Sequence, residues 1–266
     1  LARERAWLLA WDDNHWLYIF NQAGGPEAQR RMPNGVTTAC CADDGSAFAA
    51  LGALGEVWWL APDLTPRWHR SLPARGVAAA MDPFGQLLAV ADTRATLHIY
   101  DRAGEIVSQM PSARPFHHLA FVPAAPFVVG SSDFGLVGCI DLQGRWAWRE
   151  GLVLNAGGLS VSGAGELIAL ACFSEGIHCY DLAGRRRNRL PLAEPCRLVS
   201  VSFDGQSILT TGLTNRLTLL DPSGRVVCLA TLEKPAVGLA LAPLADTAFI
   251  ALTDGRVLGM TVEQDG

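Results

Sequence analysis

An all-β fold made of seven repeats of a four-stranded unit is what this sequence predicts, and three observations predict it. Asp101, Asp141, Asp181 and Asp221 stand forty residues apart, and each is followed three residues later by a glycine, at Gly104, Gly144, Gly184 and Gly224. The same ruler reaches Asn21 with Gly24, a degenerate Ala61 and, at the far end, Thr261, so seven copies fit in 266 residues. A second marker, Gly45, Gly85, Ala125, Gly165, Gly205 and Ala245, keeps the same period. Within each period, short apolar runs are closed by Gly, Pro, Asp or Asn, and no helical periodicity competes. A fixed period of about 40 to 45 residues built this way means a seven-bladed β-propeller of four-stranded antiparallel blades, with a six-bladed or open ring as the alternative.

The unit from Arg197 to Pro235 shows the elements in order. RLVSVSF (Arg197 to Phe203) is strand A, the innermost, and Asp204-Gly205 turns it into SILTTG (Ser207 to Gly212), strand B. RLTLLD (Arg216 to Asp221) is strand C, and Pro222-Ser223-Gly224 leads into RVVCLATL (Arg225 to Leu232), the outermost strand D. Asp-Gly supplies the positive φ that a tight hairpin needs at Asp44-Gly45, Asp204-Gly205 and Asp254-Gly255. The segments from Val77 to Gly104 and from Leu159 to Gly184 align with this unit. Strands covered on both faces by neighbouring blades read as continuous apolar runs such as QLLAVA rather than strict alternation. Pro33, Pro73, Pro115, Pro195 and Pro235 fall in the D to A crossovers, where no ladder hydrogen bond is lost.

The ends are incomplete. Residues 6 to 33 supply strands B, C and D of the first blade, and residues 236 to 262 supply A, B and C of the last. A preceding segment of about 20 residues would supply both missing strands and remove the exposed edges. Residues 1–266 are therefore expected to be one propeller domain excised from a longer protein.

Half the residues are hydrophobic and 18% are charged, below the roughly 25% of ordinary soluble domains, which suits sheets stacked face to face. A net charge of -5 gives no global basic field, so nucleic acid is not an expected partner. Seven cysteines make an odd count, and Cys139, Cys172, Cys179 and Cys228 sit inside apolar runs, which reads as reduced core residues of a cytoplasmic protein. No run approaches the roughly 18 apolar residues of a membrane span, and the N-terminus has no signal-peptide pattern, so no membrane partner is expected.

SFDGQSILTTGLTNRLTLLD (Ser202 to Asp221) resembles the WD40 repeat core, with Tyr100-Asp101, Ile140-Asp141, Tyr180-Asp181 and Leu220-Asp221 in place of Trp-Asp. The resemblance covers nearly the whole chain. No Gly-His dipeptide precedes strand A, so the Asp-His-Ser/Thr-Trp network of that family is expected to be absent. DLQGRWAWR (Asp141 to Arg149) also resembles the Asp, Gly, Trp repeat of quinoprotein-like propellers, with Trp148 four residues after Gly144 and Trp68 at the matching position.

Residues that could carry chemistry are few. Cys40-Cys41 invites comparison with the adjacent-cysteine disulfide of quinoproteins, but two small apolar residues on opposite faces of strand A account for it. His117-His118 opens strand A of the fourth blade, and adjacent strand residues point apart, so the pair cannot chelate one ion. His98 and His178 share a template position two blades apart, which suits packing or capping. No nucleophile elbow, phosphate loop, His-Glu-x-x-His or Cys-x-x-Cys is present, and Asp12-Asp13 and Asp43-Asp44 fall in turns. No catalytic residue, metal site or cofactor is expected.

Two surfaces are candidates for a partner. Arg185, Arg186, Arg187 and Arg189 form a basic run on an outermost strand, with Arg30, Arg31 and Arg70 on equivalent strands, and Trp68, Trp146 and Trp148 lie on such strands too. Charge there protects a sheet edge or docks an acidic partner, and the tryptophans suit either blade packing or a binding hot spot. The other surface is the rim where the D to A and B to C loops gather, holding Asn34, Arg75, Arg114, His117, Asn155, Arg197 and Lys234. Opposite turns hold Asp43, Asp44, Asp82, Asp204 and Asp246, which predicts charge polarised along the axis. The expected function is a non-catalytic scaffold that docks a protein or neighbouring domains of its own chain. The alternative is a quinoprotein-like enzyme or small-ligand binder using the axial channel.

Overall fold

The computed structural model describes residues 1–151 and 155–262. Its strands fall into seven consecutive sheets, the blades of a β-propeller. Blade 1 is β1 (Leu8–Trp11), β2 (Trp16–Phe20) and β3 (Pro26–Arg31). Blade 2 is β4 (Thr38–Cys41), β5 (Phe48–Leu51), β6 (Glu56–Leu60) and β7 (Pro66–Ser71), and blade 3 is β8 (Gly76–Met81), β9 (Leu87–Asp92), β10 (Thr96–Asp101) and β11 (Ile106–Pro111). Blade 4 is β12 (His118–Phe121), β13 (Phe127–Ser132), β14 (Leu136–Asp141) and β15 (Trp146–Gly151). Blade 5 is β16 (Ala156–Val161), β17 (Ile168–Cys172), β18 (Gly176–Tyr180) and β19 (Arg186–Leu190), and blade 6 is β20 (Cys196–Val201), β21 (Ile208–Gly212), β22 (Arg216–Leu220) and β23 (Val226–Thr231). Blade 7 is β24 (Ala236–Leu241), β25 (Thr247–Leu252) and β26 (Val257–Thr261). Five sheets have four strands and the first and last have three, as the forty-residue ruler predicts. The sequence alternative of six blades is excluded.

The described residues form two compact units, one of Leu1–Phe121, Pro126–Ser132 and Ile140–Trp146, the other of Val122–Ala125, Asp133–Cys139 and residues 147–151 and 155–262. Within each, strand periodicity shares one blade between two neighbours. Phe48 and Ala50 of β5 pack with Leu9, Leu17 and Ile19 of blade 1, whereas Ala49 and Leu51 pack with Leu88 and Val90 of blade 3. Successive side chains point to opposite faces, and both faces are covered, so β5 is apolar throughout. In the second unit Ile208 and Leu220 meet blade 5, while Leu209, Leu217 and Leu219 meet blade 7. Each fully buried Leu or Ile contributes about 1.5–3 kcal/mol of apolar transfer, so the blade interfaces dominate the stability of each unit. Among the described residues no helix is long and apolar enough to cross a membrane.

The A to B turns are wired differently from the sequence expectation. In Asp44-Gly45 and Asp204-Gly205 only the glycine has positive φ, +68° and +72°. Gly45 donates its N–H to the Ala42 carbonyl and Gly205 to that of Ser202, so the glycine ends a turn that the aspartate enters with ordinary φ. The aspartate serves instead as a cap, since Asp44 accepts the Ser46 N–H and Asp204 that of Gln206.

Candidate functional site

The aspartates that define the repeat cap the turns between strands C and D. Asp101 Oδ1 accepts the N–H groups of Ala103 and Glu105 at 2.8 and 2.9 Å, and Asp141 accepts those of Gln143 and Arg145 at 3.0 and 2.9 Å. Asp221 does the same with Ser223 and Arg225, and Asn21 with Ala23 and Gly25. The backbone N–H of Arg145 holds the Asp141 carboxyl below the ordinary carboxylate range, and the Ser223 hydroxyl has that effect on Asp221. Hydrogen bonding to the charged form keeps these groups ionised, the opposite of a poised general acid. In the degenerate copy at Ala61, Asp63 takes over the capping by accepting the Thr65 N–H at 3.0 Å, and Leu64 adopts φ +62° where other copies use glycine.

The outer-strand tryptophans lock one blade to the next. Trp68 Nε1 donates to the Arg102 carbonyl at 3.1 Å and its ring lies 5.8 Å from Tyr100. Trp148 Nε1 donates to the Leu182 carbonyl at 2.8 Å with its ring 5.9 Å from Tyr180. Each ring also covers the glycine of the capped turn: a Cβ on Gly184 would come within 2.5 Å of Trp148. Asn188 fills the same template position in blade 5 and donates to the Pro222 carbonyl at 3.2 Å. Sequence reasoning missed Asn188 because it looked for the indole, while what recurs is an N–H aimed at a carbonyl thirty-four residues on. Trp146 stacks at a tilt on Phe116 with centroids 6.1 Å apart.

The basic run is largely compensated. Arg185 lies in the turn before β19, where its N–H caps Asp181 at 2.9 Å. Arg186 pairs with Glu150 and lies over the Tyr180 ring at 5.8 Å. Arg187 is 4.0 Å from Asp181, and Arg189 is 3.2 Å from the Glu175 carboxylate, whose residue's carbonyl it also binds. The acids come from neighbouring strands and turns, so a run that is uniformly cationic in sequence sits among anions in space.

All seven crossover residues, Asn34, Arg75, Arg114, His117, Asn155, Arg197 and Lys234, are exposed. In the first unit Asn34 bonds Glu56, and the Arg75 carbonyl accepts the Thr93 N–H at 2.9 Å. The Arg114 carbonyl accepts the Ser112 hydroxyl at 2.5 Å, and the His117 N–H reaches the Ser131 carbonyl. In the second unit the Asn155 carbonyl takes the Phe173 N–H, Arg197 lies on β20, and Lys234 lies in the crossover before β24. Glu56 opens β6 at this end of the first unit, the loops of the second unit carry Glu175, Glu194, Glu233 and Asp254, and Arg216 and Arg256 pair with Glu194 and Glu233 at 3.6 and 2.8 Å. Within each unit this end of the blades therefore carries acidic as well as basic side chains. Sequence reasoning also passed over Arg94, exposed at the B to C loop tip of blade 3. Its forty-residue template position, shared with exposed Leu54, was the signal that could have found it.

Two buried histidines hold strand C. His98 Nε2 is 3.1 Å from Asp92 Oδ2, and the two side chains are 3% and 2% exposed. Asp92 Oδ1 meanwhile caps the Arg94 and Thr96 N–H groups. His178 Nε2 is 3.2 Å from Glu175, and burial, with Arg186 nearby, holds its pKa below the ordinary imidazole value. Both rings leave Nδ1 buried without a partner in the described structure. Blade 1 builds the equivalent contact from Tyr18, whose hydroxyl donates to Asp12 at 3.0 Å. Cys40 and Cys41 face opposite ways along β4, one toward the blade 3 side and one toward the blade 1 side, and both are free thiols. Cys139, Cys172 and Cys179 are buried, but Cys228, expected in the core, is exposed because it lies on the outer strand β23, most of whose residues face solvent. Burial raises the Cys40 thiol and pushes Cys196 up to about 11, which makes them poor nucleophiles.

No protein-family model matches the chain, and none of the curated proteins compared with it matches.

Proposed function

We propose that this protein is a non-catalytic, cytoplasmic docking platform of the WD40-like kind, which binds a protein partner or neighbouring domains of its own chain through the crossover loops. The observation that carries the reading is a division of labour between turns, outer strands and crossover loops. Carboxylates at the C to D turns are consumed by backbone capping and the outer-strand tryptophans by blade packing, while the crossover loops expose Arg75, Arg114 and Lys234 and the start of β20 exposes Arg197. Rigid walls with chemically varied loops suit recognition, because the fold holds the loops without constraining their side chains. The test is affinity capture with the full-length protein beside two charge-reversed variants, one at Arg75, Arg114 and Arg197, the other at Arg186, Arg187 and Arg189. Partner loss in the first variant alone is expected. Unchanged capture in the first, or loss only in the second, overturns the assignment.

A further inference from the structure

Arg75, Arg94 and Arg114 stand on three loops that the backbone ties side by side. The Thr93 N–H donates to the Arg75 carbonyl at 2.9 Å, and the Ser112 N–H to the Ala95 carbonyl at 2.7 Å. The Ser112 hydroxyl closes the set by donating to the Arg114 carbonyl. The middle loop is rigid, since buried Asp92 caps Arg94 and Thr96 and is itself anchored to His98. All three arginines are exposed, and no acidic side chain among the described residues pairs with any of them. Asp92, the acid nearest to Arg94 in sequence, is 1% exposed and engaged by the Arg94 and Thr96 N–H groups and by His98. Beside them, Leu54 is 76% exposed at the adjoining loop tip, which the Leu72 N–H ties to the Arg75 crossover through the Gly55 carbonyl at 2.9 Å.

We propose that this sector of blade 3 recognises an acidic polypeptide segment carrying an apolar side chain, with Arg75, Arg94 and Arg114 engaging carboxylates and Leu54 the apolar group. The proposal rests on the docking-platform reading and specifies its partner. Guanidinium groups match carboxylates in bidentate geometry and are weakly hydrated, so arginine suits such contacts better than lysine. Loops held by backbone hydrogen bonds present the three charges without a large ordering cost. Nucleic acid is disfavoured because the chain carries a net charge of -5, and phosphate-driven binding needs a wider basic field.

The test measures fluorescence anisotropy of a labelled peptide containing a leucine flanked by glutamates, titrated with the whole chain. Single Arg75→Glu, Arg94→Glu or Arg114→Glu reversals are each expected to weaken binding about five- to tenfold, and added salt to weaken it further. Arg225→Glu, in a C to D turn, serves as the control and leaves affinity unchanged. Arg94→Lys retains partial binding, and unchanged melting temperatures show that the variants fold. Equal binding by the triple reversal, or tighter binding of a single-stranded oligonucleotide or of phosphatidylserine vesicles, overturns the proposal. Failure here with the first-test partner still lost on crossover reversal would reject the acidic segment while keeping the docking platform.

Discussion

On β19, Arg186, Arg187 and Arg189 each lie within ion-pair reach of an acid, Glu150, Asp181 and Glu175 respectively. Around blade 3, Arg75, Arg94 and Arg114 have no such partner among the described residues, although they are scattered along the sequence and draw less attention. The difference teaches that charge density along the chain is a poor guide to available charge. Residues on a D strand face acids supplied by their own hairpin and the blade before, whereas crossover loops project beyond the ladder. An arginine compensated within the fold adds little to recognition, and an uncompensated one keeps its hydrogen-bonding capacity for a partner.

The sharpest way to break the comparison is Asp92→Ala. It strands the buried His98 Nε2 and two N–H groups of the Arg94 loop, and should cost about 3 kcal/mol in chemical denaturation along with acidic-peptide binding. If stability fell while binding held, Arg94 would not need its loop. Gly184→Ala probes the blade beneath the paired arginines. Its φ of +79° and the Trp148 ring leave no room for a methyl group, so a loss of about 2 kcal/mol is expected, with peptide binding intact.

A smaller effect depends on pH. Burial, with Arg186 and then Arg189 opposing protonation and Glu175 favouring it, keeps the His178 pKa below 6.5. The unfolded chain therefore takes up a proton before the folded one does. The stabilisation is complete above 6.5 and declines as pH falls through the folded-state value. His178→Gln should flatten the acid side of the melting-temperature profile, and an unaltered slope would assign that decline elsewhere. The smallest effect belongs to Arg189→Ala, below about 1 kcal/mol and reduced by salt, because its pair with Glu175 is partly solvated. A larger loss would mean that the β19 arginines bear structural weight comparable to the Asp92 loop.

The strand pattern was legible because each hairpin writes its own turn: Asp221, Ser223 and Gly224 lie within four residues of one another, and their hydrogen bonds close locally. The locking role of Trp68 and Trp148 was visible only as one of two options, since the carbonyl each indole meets belongs to the following blade. Asn188 shows why: a different side chain satisfies the same distant acceptor, so residue identity does not repeat where geometry does.

By itself, the sequence determined the forty-residue period, seven blades, incomplete first and last sheets and two-faced strands, because turn chemistry and side-chain alternation act over a few residues. Tertiary structure alone decided that Arg186 reaches Glu150, that each outer-strand N–H meets a carbonyl of the next blade and which loops stand together around Arg94. Those outcomes depend on Coulomb and hydrogen-bond contacts of a few ångströms between residues many positions apart, and only packed blades bring them within that range.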